Sequence, residues 1–215
     1  SSEVERYYPL SPVPLITTVS PNRHIINENT IYALKNELLL TWEYPLGAES
    51  FDLEWVFVDI SGDAATLMNT IQTSTANYDW KEATRINTTN NYYAISLAYP
   101  SGMIVYRVRP VGVDLVNGNY NLTTTGDFTI PFTGTVANAF TAGYAFPYTG
   151  LDKEKNWTYK VAYAEEGKRK EGIQYFDGSS RVRQSTTILN TDQNAIVAET
   201  MYDFEGRPAI NTLPT

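Results

Sequence analysis

The chain has 215 residues, which is enough to bury the core of one large β domain or of two small ones without disulfides or metal. It contains no cysteine, and this excludes disulfide frameworks, thiolate metal sites and thiol nucleophiles. The formal net charge of -8 argues against nucleic acid or an anionic membrane surface as a partner, because either would favour a clustered basic face.

The first segment, residues 1–30, contains the prolines Pro9, Pro12, Pro14 and Pro21. Each proline removes a backbone donor, so this segment cannot run as a central strand of a sheet. We expect an extended leader that lies along another part of the assembly.

From residue 38 the hydrophobic period becomes two, which predicts a strand over residues 38–44 and another over residues 51–57. In the second strand the apolar side chains share one face, and Asp52 and Glu54 share the opposite face, which we predict to be solvated. Residues 61–90 are polar and rich in Thr and Asn. We predict a long insertion there, with at most one short helix at its start.

Residues 91–112 indicate a β-hairpin, because two aromatic or β-branched arms flank the turn sequence Pro100-Ser101-Gly102. Residues 131–155 have no clear hydrophobic period and are predicted to be a linker. Alternation then resumes over residues 156–215 and predicts a meander. After a first strand, its successive arms are predicted at residues 169–177, 181–190, 195–204 and 208–213.

The sequence YDFEGR at residues 202–207 lies 26 positions after FDGSSR at residues 176–181. Both have an aromatic residue, then Asp, then Arg four residues after the Asp. In such a unit the aromatic ends a strand, the acid accepts hydrogen bonds from the turn, a small residue takes a left-handed conformation and Arg pairs with the acid. The predicted structural repeat motif consists of Phe176, Asp177, Arg181, Tyr202, Asp203, Gly206 and Arg207.

This pattern resembles the YD repeats of the RHS family, whose units carry Tyr-Asp-x-x-Gly-Arg. Residues 157–214 look like the segment that precedes the main repeats in large exported RHS-type proteins of Bacteroidota. The resemblance implies long β-strands of the kind that build a hollow shell, which in many members of the family encloses a toxin. It implies a structural role, with no catalytic residue and no cofactor or metal.

A second resemblance covers residues 30–130, where YRVRPVG at residues 106–112 is similar to a strand of fibronectin type III domains. It implies that Tyr106 and Val108 point inward and that Trp42 is a buried core residue. Pro110 departs from that pattern because it removes a sheet donor.

The predicted fold class is all-β, with a fibronectin type III-like β-sandwich followed by an antiparallel β-hairpin meander of YD-repeat type. The predicted organisation is a leader at 1–30, the sandwich at 31–130, a linker at 131–155 and YD-type repeats at 156–215. An open last strand is expected to be covered by a downstream part of the same polypeptide or by other protein subunits, because isolated proteins avoid such edges.

Taken together, these patterns favour a non-enzymatic structural or interaction module that docks or plugs within a large cell-surface or secreted assembly. The chain has 16 tyrosines and 4 tryptophans, a usage typical of sheets exposed to an extracellular environment. We therefore expect export to the extracellular space or the outer-membrane surface of a Gram-negative bacterium. No apolar run approaches the roughly 20 residues of a membrane span.

Three other functions stay open. The first is a cell-surface adhesin or carbohydrate-binding module. The second is a component or substrate bound to an outer-membrane (type IX) secretion channel. The third is a glycosidase, which would need two carboxylates in a cleft. A glycan partner would stack on aromatic side chains, and the candidates are Trp80, Tyr92, Tyr93 and Tyr99.

Other chemistry-bearing residues have simpler structural interpretations. His24 is the single histidine and is expected to be exposed. Asp52 and Glu54 lie about 7 Å apart along a strand, like a glycosidase pair, but a solvated strand face explains them. Asp59 and Asp63 have a calcium-like composition without the full register of a calcium loop.

Overall fold

The computed structural model describes residues 16–21, 24–27, 30–32, 37–62, 64–113, 123–130, 133–189 and 194–212. Antiparallel sheets dominate these residues, and the all-β class predicted from the sequence is confirmed. The chain divides into two compact units, residues 1–151 and residues 152–215.

Two main sheets organise the first unit. Its elements are β1 (Ile16–Pro21), β2 (His24–Asn27), β3 (Thr30–Tyr32), β4 (Glu37–Trp42), β5 (Ser50–Asp59), α1 (Ala64–Gln72), β6 (Asn77–Asp79), a 3-10 turn (Trp80–Glu82), β7 (Thr84–Thr88), β8 (Tyr92–Ser96), β9 (Gly102–Val113), β10 (Thr123–Thr125), β11 (Thr133–Thr135), α2 (Val136–Thr141) and β12 (Ala145–Tyr148). One sheet has the order β1-β4-β8, and the other has the order β10-β9-β5-β7, with β12 also paired to β9. Two short pairs, β2–β3 and β6–β11, complete the described strands of the unit.

The two main sheets pack face to face over an aromatic core. Trp42 of β4 contacts Phe51 of β5 with ring centroids 5.5 Å apart, and Trp55 of β5 lies 5.9 Å from Tyr93 of β8. These rings are buried because alternate residues of each strand point to the same face. The apolar face predicted for residues 51–57 therefore forms the interior of a sandwich.

The opposite face of β5 and β9 covers a second core, so the prediction that this face is solvated was wrong. Helices α1 and α2 and the β6–β11 pair supply its cover. Its buried members are Val56, Ile60, Leu67, Ile71, Tyr78, Trp80, Met103, Val105, Ile130, Val136, Ala139 and Ala145. Central strands buried on both faces lose the simple alternation that a one-sided sheet would show.

The predicted hairpin over residues 91–112 was also wrong. Strand β8 pairs with β4, whereas β9 pairs with β5, so the connection passes from one sheet to the other. Both arms are strongly apolar, and their hydrophobic period predicts two strands. The period does not specify which other strand each of them pairs with.

Parts of the predicted leader and linker form regular structure. Strand β1 lies at the edge of its sheet and ends at Pro21, where a missing donor is tolerated. The segment predicted as a linker, residues 131–155, contains β11, α2 and β12. Helix α2 begins where the Thr135 hydroxyl accepts a hydrogen bond from the Asn138 amide, 3.3 Å away, which is an ordinary N-cap.

The second unit is a five-stranded antiparallel meander in the order β13-β14-β15-β16-β17. Its elements are β13 (Asn156–Tyr163), a 3-10 turn (Glu165–Gly167), β14 (Arg169–Phe176), β15 (Val182–Leu189), β16 (Asn194–Tyr202) and β17 (Pro208–Asn211). The four arms predicted after the first strand are thus confirmed as β14 to β17.

This second sheet has no apolar core among the described residues of its unit. The buried residues there are Gly167, Arg169 and Glu171, and the last two form an ion pair. Every described apolar side chain of the unit remains half-buried or exposed. Among these described residues the sheet buries no apolar face of the kind that stabilises an isolated β domain.

Candidate functional site

Two turns of the second unit carry the residues of the predicted repeat motif. The first Asp turn, residues 177–181, joins β14 to β15, and the second Asp turn, residues 203–207, joins β16 to β17. A register shift precedes each turn, so that Phe176 lies opposite Val182 and Tyr202 lies opposite Pro208. Both turns lie on the same side of the meander because two strands separate them.

In the first Asp turn the carboxylate of Asp177 organises the backbone. Its Oδ1 accepts hydrogen bonds from the amides of Ser179 at 2.9 Å and Arg181 at 3.0 Å, and its Oδ2 accepts one from Arg181 Nε at 2.8 Å. The Asp177 amide donates to the Arg181 carbonyl, and the Ser180 amide donates to the Asp177 carbonyl, both at 3.0 Å. Ser180 takes the left-handed conformation, with φ of 61°.

The second Asp turn has the same hydrogen bonds at the same positions. Asp203 Oδ1 accepts from the amides of Glu205 and Arg207, and its Oδ2 accepts from Arg207 Nε, each at 2.9 Å. The two backbone bonds measure 2.9 and 3.0 Å, and Gly206 takes the left-handed conformation with φ of 83°. Since the carboxylate supplies the acceptors, the intervening residues can differ as long as the left-handed position suits a small residue.

These contacts favour the charged form of both acids. The Arg181 amide, followed by the Ser179 amide and the Arg181 side chain, lowers the pKa of Asp177 below its ordinary value. The Arg207 amide and side chain lower the pKa of Asp203 in the same way. Both carboxylates thus accept hydrogen bonds from the backbone and the arginine of their own turns.

The two Asp turns contact each other through Arg181. Its guanidinium lies over the ring of Tyr202, 4.7 Å from the ring centroid. The Tyr202 hydroxyl donates to the Val182 carbonyl at 2.9 Å. Gly206 lies against the same guanidinium, so that a Cβ at this position would meet Arg181 Nη1. Arg181 of the first Asp turn thus lies against both Tyr202 and Gly206 of the second Asp turn.

A third, degenerate turn at residues 152–156 was missed from the sequence. The Lys155 amide donates to the Asp152 carbonyl at 2.9 Å, as Ser180 and Gly206 do in the two Asp turns. The Lys155 ammonium lies 5.0 Å from the centroid of the Tyr175 ring. The Tyr175 hydroxyl donates to Asp152 Oδ2 at 2.7 Å and lowers the pKa of that acid. This turn lacks Arg after its Asp, so the motif alone does not find it.

Asp52 and Glu54, the possible glycosidase pair, are both held in ion pairs in the first unit. Buried Glu54 accepts from Arg107 Nη2 at 2.6 Å and from Arg85 Nε at 2.7 Å. Asp52 accepts from Arg109 Nη2 at 2.9 Å, with both side chains about a quarter exposed. The solvated-face interpretation of Glu54 was wrong because the second core covers that face.

Arg107 is the centre of this buried charge cluster. Its guanidinium lies 4.1 Å from the Trp80 ring centroid and 3.8 Å from that of Phe128, which sandwiches the cation between two rings. Burial lowers the pKa of Arg107, and the bond to Glu54 opposes that shift. Sequence reasoning missed this cluster because Glu54 and Arg107 lie 53 positions apart and become neighbours only through β5–β9 pairing.

The remaining candidates form no shared site among the described residues. Asp59 is exposed, while Asp63 and the His24 side chain lie outside the described residues. Trp80 and Tyr93 are buried, and Tyr99 stacks on Phe57 at 4.8 Å, so these three rings pack within the unit, while Tyr92 is partly exposed. Within the described ranges, no cluster of three or more acidic or histidine side chains has the geometry to hold a metal ion.

Two shallow recesses occur in the described part of the chain. One, of about 420 Å³, is lined by Arg107, Arg109 and Phe128 in the first unit, among others. The other, of about 400 Å³, lies in the second unit beside Lys155 and Tyr175.

Comparison with known proteins leaves this site unassigned. None of the described helices has the length and apolar character needed to cross a membrane. No protein-family model matches the chain, and a search of curated proteins finds no significant match.

Proposed function

We propose that the chain is a non-enzymatic structural and interaction module of a large exported RHS-type repeat protein. The observation that carries the proposal is the pair of Asp turns, 26 residues apart, with the same hydrogen bonds on a sheet whose described residues bury no apolar side chain. A repeated supersecondary unit that cannot bury its own face is stabilised by stacking on further copies.

The strand order of the first unit supports a fibronectin type III-like sandwich as the domain before the repeats. Counted along the chain, the first, second and fifth of the eight strands in the two main sheets form one sheet, and the other five form the second sheet. That division is typical of immunoglobulin-like sandwiches. Trp42 and Tyr106 are buried, although the Tyr106 hydroxyl donates to the Gly143 carbonyl, far along the chain, rather than to a neighbouring corner.

The module would work by contact, at the cell surface or outside the cell. Its partners would be other parts of the same polypeptide or other protein subunits, which pair with the edges of the second sheet. Strand β17 presents such an edge, because its four side chains are exposed and β16 is its one neighbour among the described strands. Three of the four aromatic side chains that suggested a glycan ligand, Trp80, Tyr93 and Tyr99, pack within the first unit, so the proposal names protein partners.

Limited proteolysis of the purified chain, followed by mass spectrometry and light scattering, tests this function. We expect the first cuts within residues 194–212 and concentration-dependent self-association through open sheet edges. A compact, monodisperse monomer in which β17 resists proteolysis as well as β9 does would contradict the proposal. Loss of association after removal of the β16–β17 hairpin would identify the edge responsible.

A further inference from the structure

In two places of the second unit, a cation of one turn lies over an aromatic ring near the start of the next turn. Arg181 covers the ring of Tyr202, which directly precedes Asp203, and Lys155 covers the ring of Tyr175, which lies two residues before Asp177. Arg207 occupies in the second Asp turn the position that Arg181 occupies in the first. It pairs with Asp203 and Glu205, its side chain is 67% exposed, and no described aromatic ring lies over it.

The register of the sheet explains why Arg181 meets Tyr202. Gln184 pairs with Glu199 in the β15–β16 ladder, and continuing this register by three residues brings Arg181 opposite Tyr202. Side chains directly opposite each other on neighbouring antiparallel strands are close enough to contact. By the same register, Arg207 would lie opposite the last residue of a strand added beside β17.

Among the described strands β17 pairs only with β16, so part of its backbone points away from that neighbour. The Thr212 amide donates to the Glu199 carbonyl at 2.9 Å, so Thr212 faces β16. Backbone groups alternate in direction along a strand, which turns the amides and carbonyls of Ala209 and Asn211 toward the open edge. Exposed apolar side chains lie nearby, with Met201, Phe204 and Ile210 at 45%, 95% and 56% exposure.

We propose that β17 and Arg207 form a docking site for a further antiparallel strand that ends in an aromatic residue opposite Arg207. The strand continues into an Asp turn with glycine at its left-handed position. The occupant follows from continuity with the β15–β16 interface, in which Arg181 covers Tyr202 and lies against Gly206. A larger residue in place of that glycine would meet the guanidinium. This inference rests on the proposed function and specifies which strands the array accepts.

An extended form of the full chain tests the site. A second copy of residues 190–212 is appended after Thr215, which supplies a strand with the required aromatic, Asp and glycine. Hydrogen exchange is then measured at Ala209 and Asn211 by NMR. We expect both amides to exchange at least about tenfold more slowly than in the original chain, because they acquire ladder hydrogen bonds.

Two substitutions separate the aromatic requirement from general strand pairing. Replacing the tyrosine of the appended copy by alanine leaves the host chain untouched and should reduce the protection about two- to fivefold, the factor expected for an exposed cation–π contact. Arg207→Gln should do the same, whereas Arg183→Gln is the matched control, because Arg183 is an exposed arginine in neither turn. Protection unaltered by removing the ring would overturn the aromatic requirement.

Absence of protection in the extended chain would overturn the docking site itself. This conclusion does not depend on whether the appended copy folds by itself, because the proposed docking site would order the strand that it binds. The proposed function is judged separately, by proteolysis and association of the original chain, so the two failures are distinguishable.

Discussion

The two units of this chain solve the problem of burying a sheet in opposite ways. In the first unit, β5 and β9 are covered on both faces, by the partner sheet on one side and by α1, α2 and the β6–β11 pair on the other. In the second, no described apolar side chain is buried. The first unit supplies its own cover from inserted segments, whereas the second repeats a turn and buries no apolar side chain among its described residues.

Ion pairs show the same contrast. The carboxylate of Glu54 is 5% exposed and that of Asp203 is 27% exposed, yet each binds an arginine within 3 Å. Removing one partner of a buried pair leaves an uncompensated charge, while an exposed pair is largely replaced by water. The buried pair therefore contributes to the stability of its unit, and the exposed pairs define the shape of a turn.

The largest expected effect is that of Glu54→Gln. It removes the carboxylate that pairs with Arg107 and Arg85, and the free energy of unfolding of the first unit should fall by about 3–5 kcal/mol. Urea denaturation followed by tryptophan fluorescence measures this change. Asp52→Asn is the matched control on the same strand and should cost less than about 1 kcal/mol, since its pair with Arg109 is partly exposed. Equal effects of the two substitutions would contradict the proposed difference between the buried and the partly exposed ion pair.

A second pair of substitutions compares apolar side chains of the two units. Leu53→Ala, at a fully buried position, should destabilise the first unit by about 2–5 kcal/mol. Ile210→Ala, at a position 56% exposed, should change stability by less than about 0.5 kcal/mol. Thermal or urea unfolding of both variants gives the comparison. A large loss from Ile210→Ala would show that β17 is covered in the isolated chain.

The left-handed residues of the two Asp turns give a smaller effect. Gly206→Ala places a side chain at φ of 83° and should destabilise the second unit by about 1–2 kcal/mol. Ser180→Gly relieves the same strain in the first Asp turn and should be neutral or slightly stabilising. Denaturation followed by far-UV circular dichroism measures both. If Gly206→Ala were harmless, the left-handed position would not require glycine.

The smallest effect concerns pH. The pKa of Asp177 and that of Asp203 are lowered in the folded chain, so their contribution to stability is present above the ordinary value of 3.8 and is lost as the pH falls through the lowered pKa. Carboxyl carbon chemical shifts measured by NMR should give titration midpoints below 3.8 for both acids. Midpoints at or above that value would mean that the turn hydrogen bonds are absent in solution.

Local patterns predicted much of the second unit and little of the contacts in the first. Alternation at residues 169–213 predicts β14 to β17, because each strand pairs with its neighbour in sequence. The pairing of β9 with β5 and the meeting of Glu54 with Arg107 depend on which distant segment covers which face, and no short window of sequence contains that information. The contact of Lys155 with Tyr175 was missed for a different reason, since its turn lacks the arginine of the motif.

Hydrogen exchange across the whole original chain tests the central claim most directly. If the second unit is a sheet left open for further strands, the amides of Ala209 and Asn211 should exchange at rates near those of unfolded chains when the chain is dilute enough to be monomeric. The amides of β5 and β9 should then be protected to the level of global unfolding. Protection of β17 equal to that of β9 would contradict the account, because the edge would then already be covered in the isolated chain.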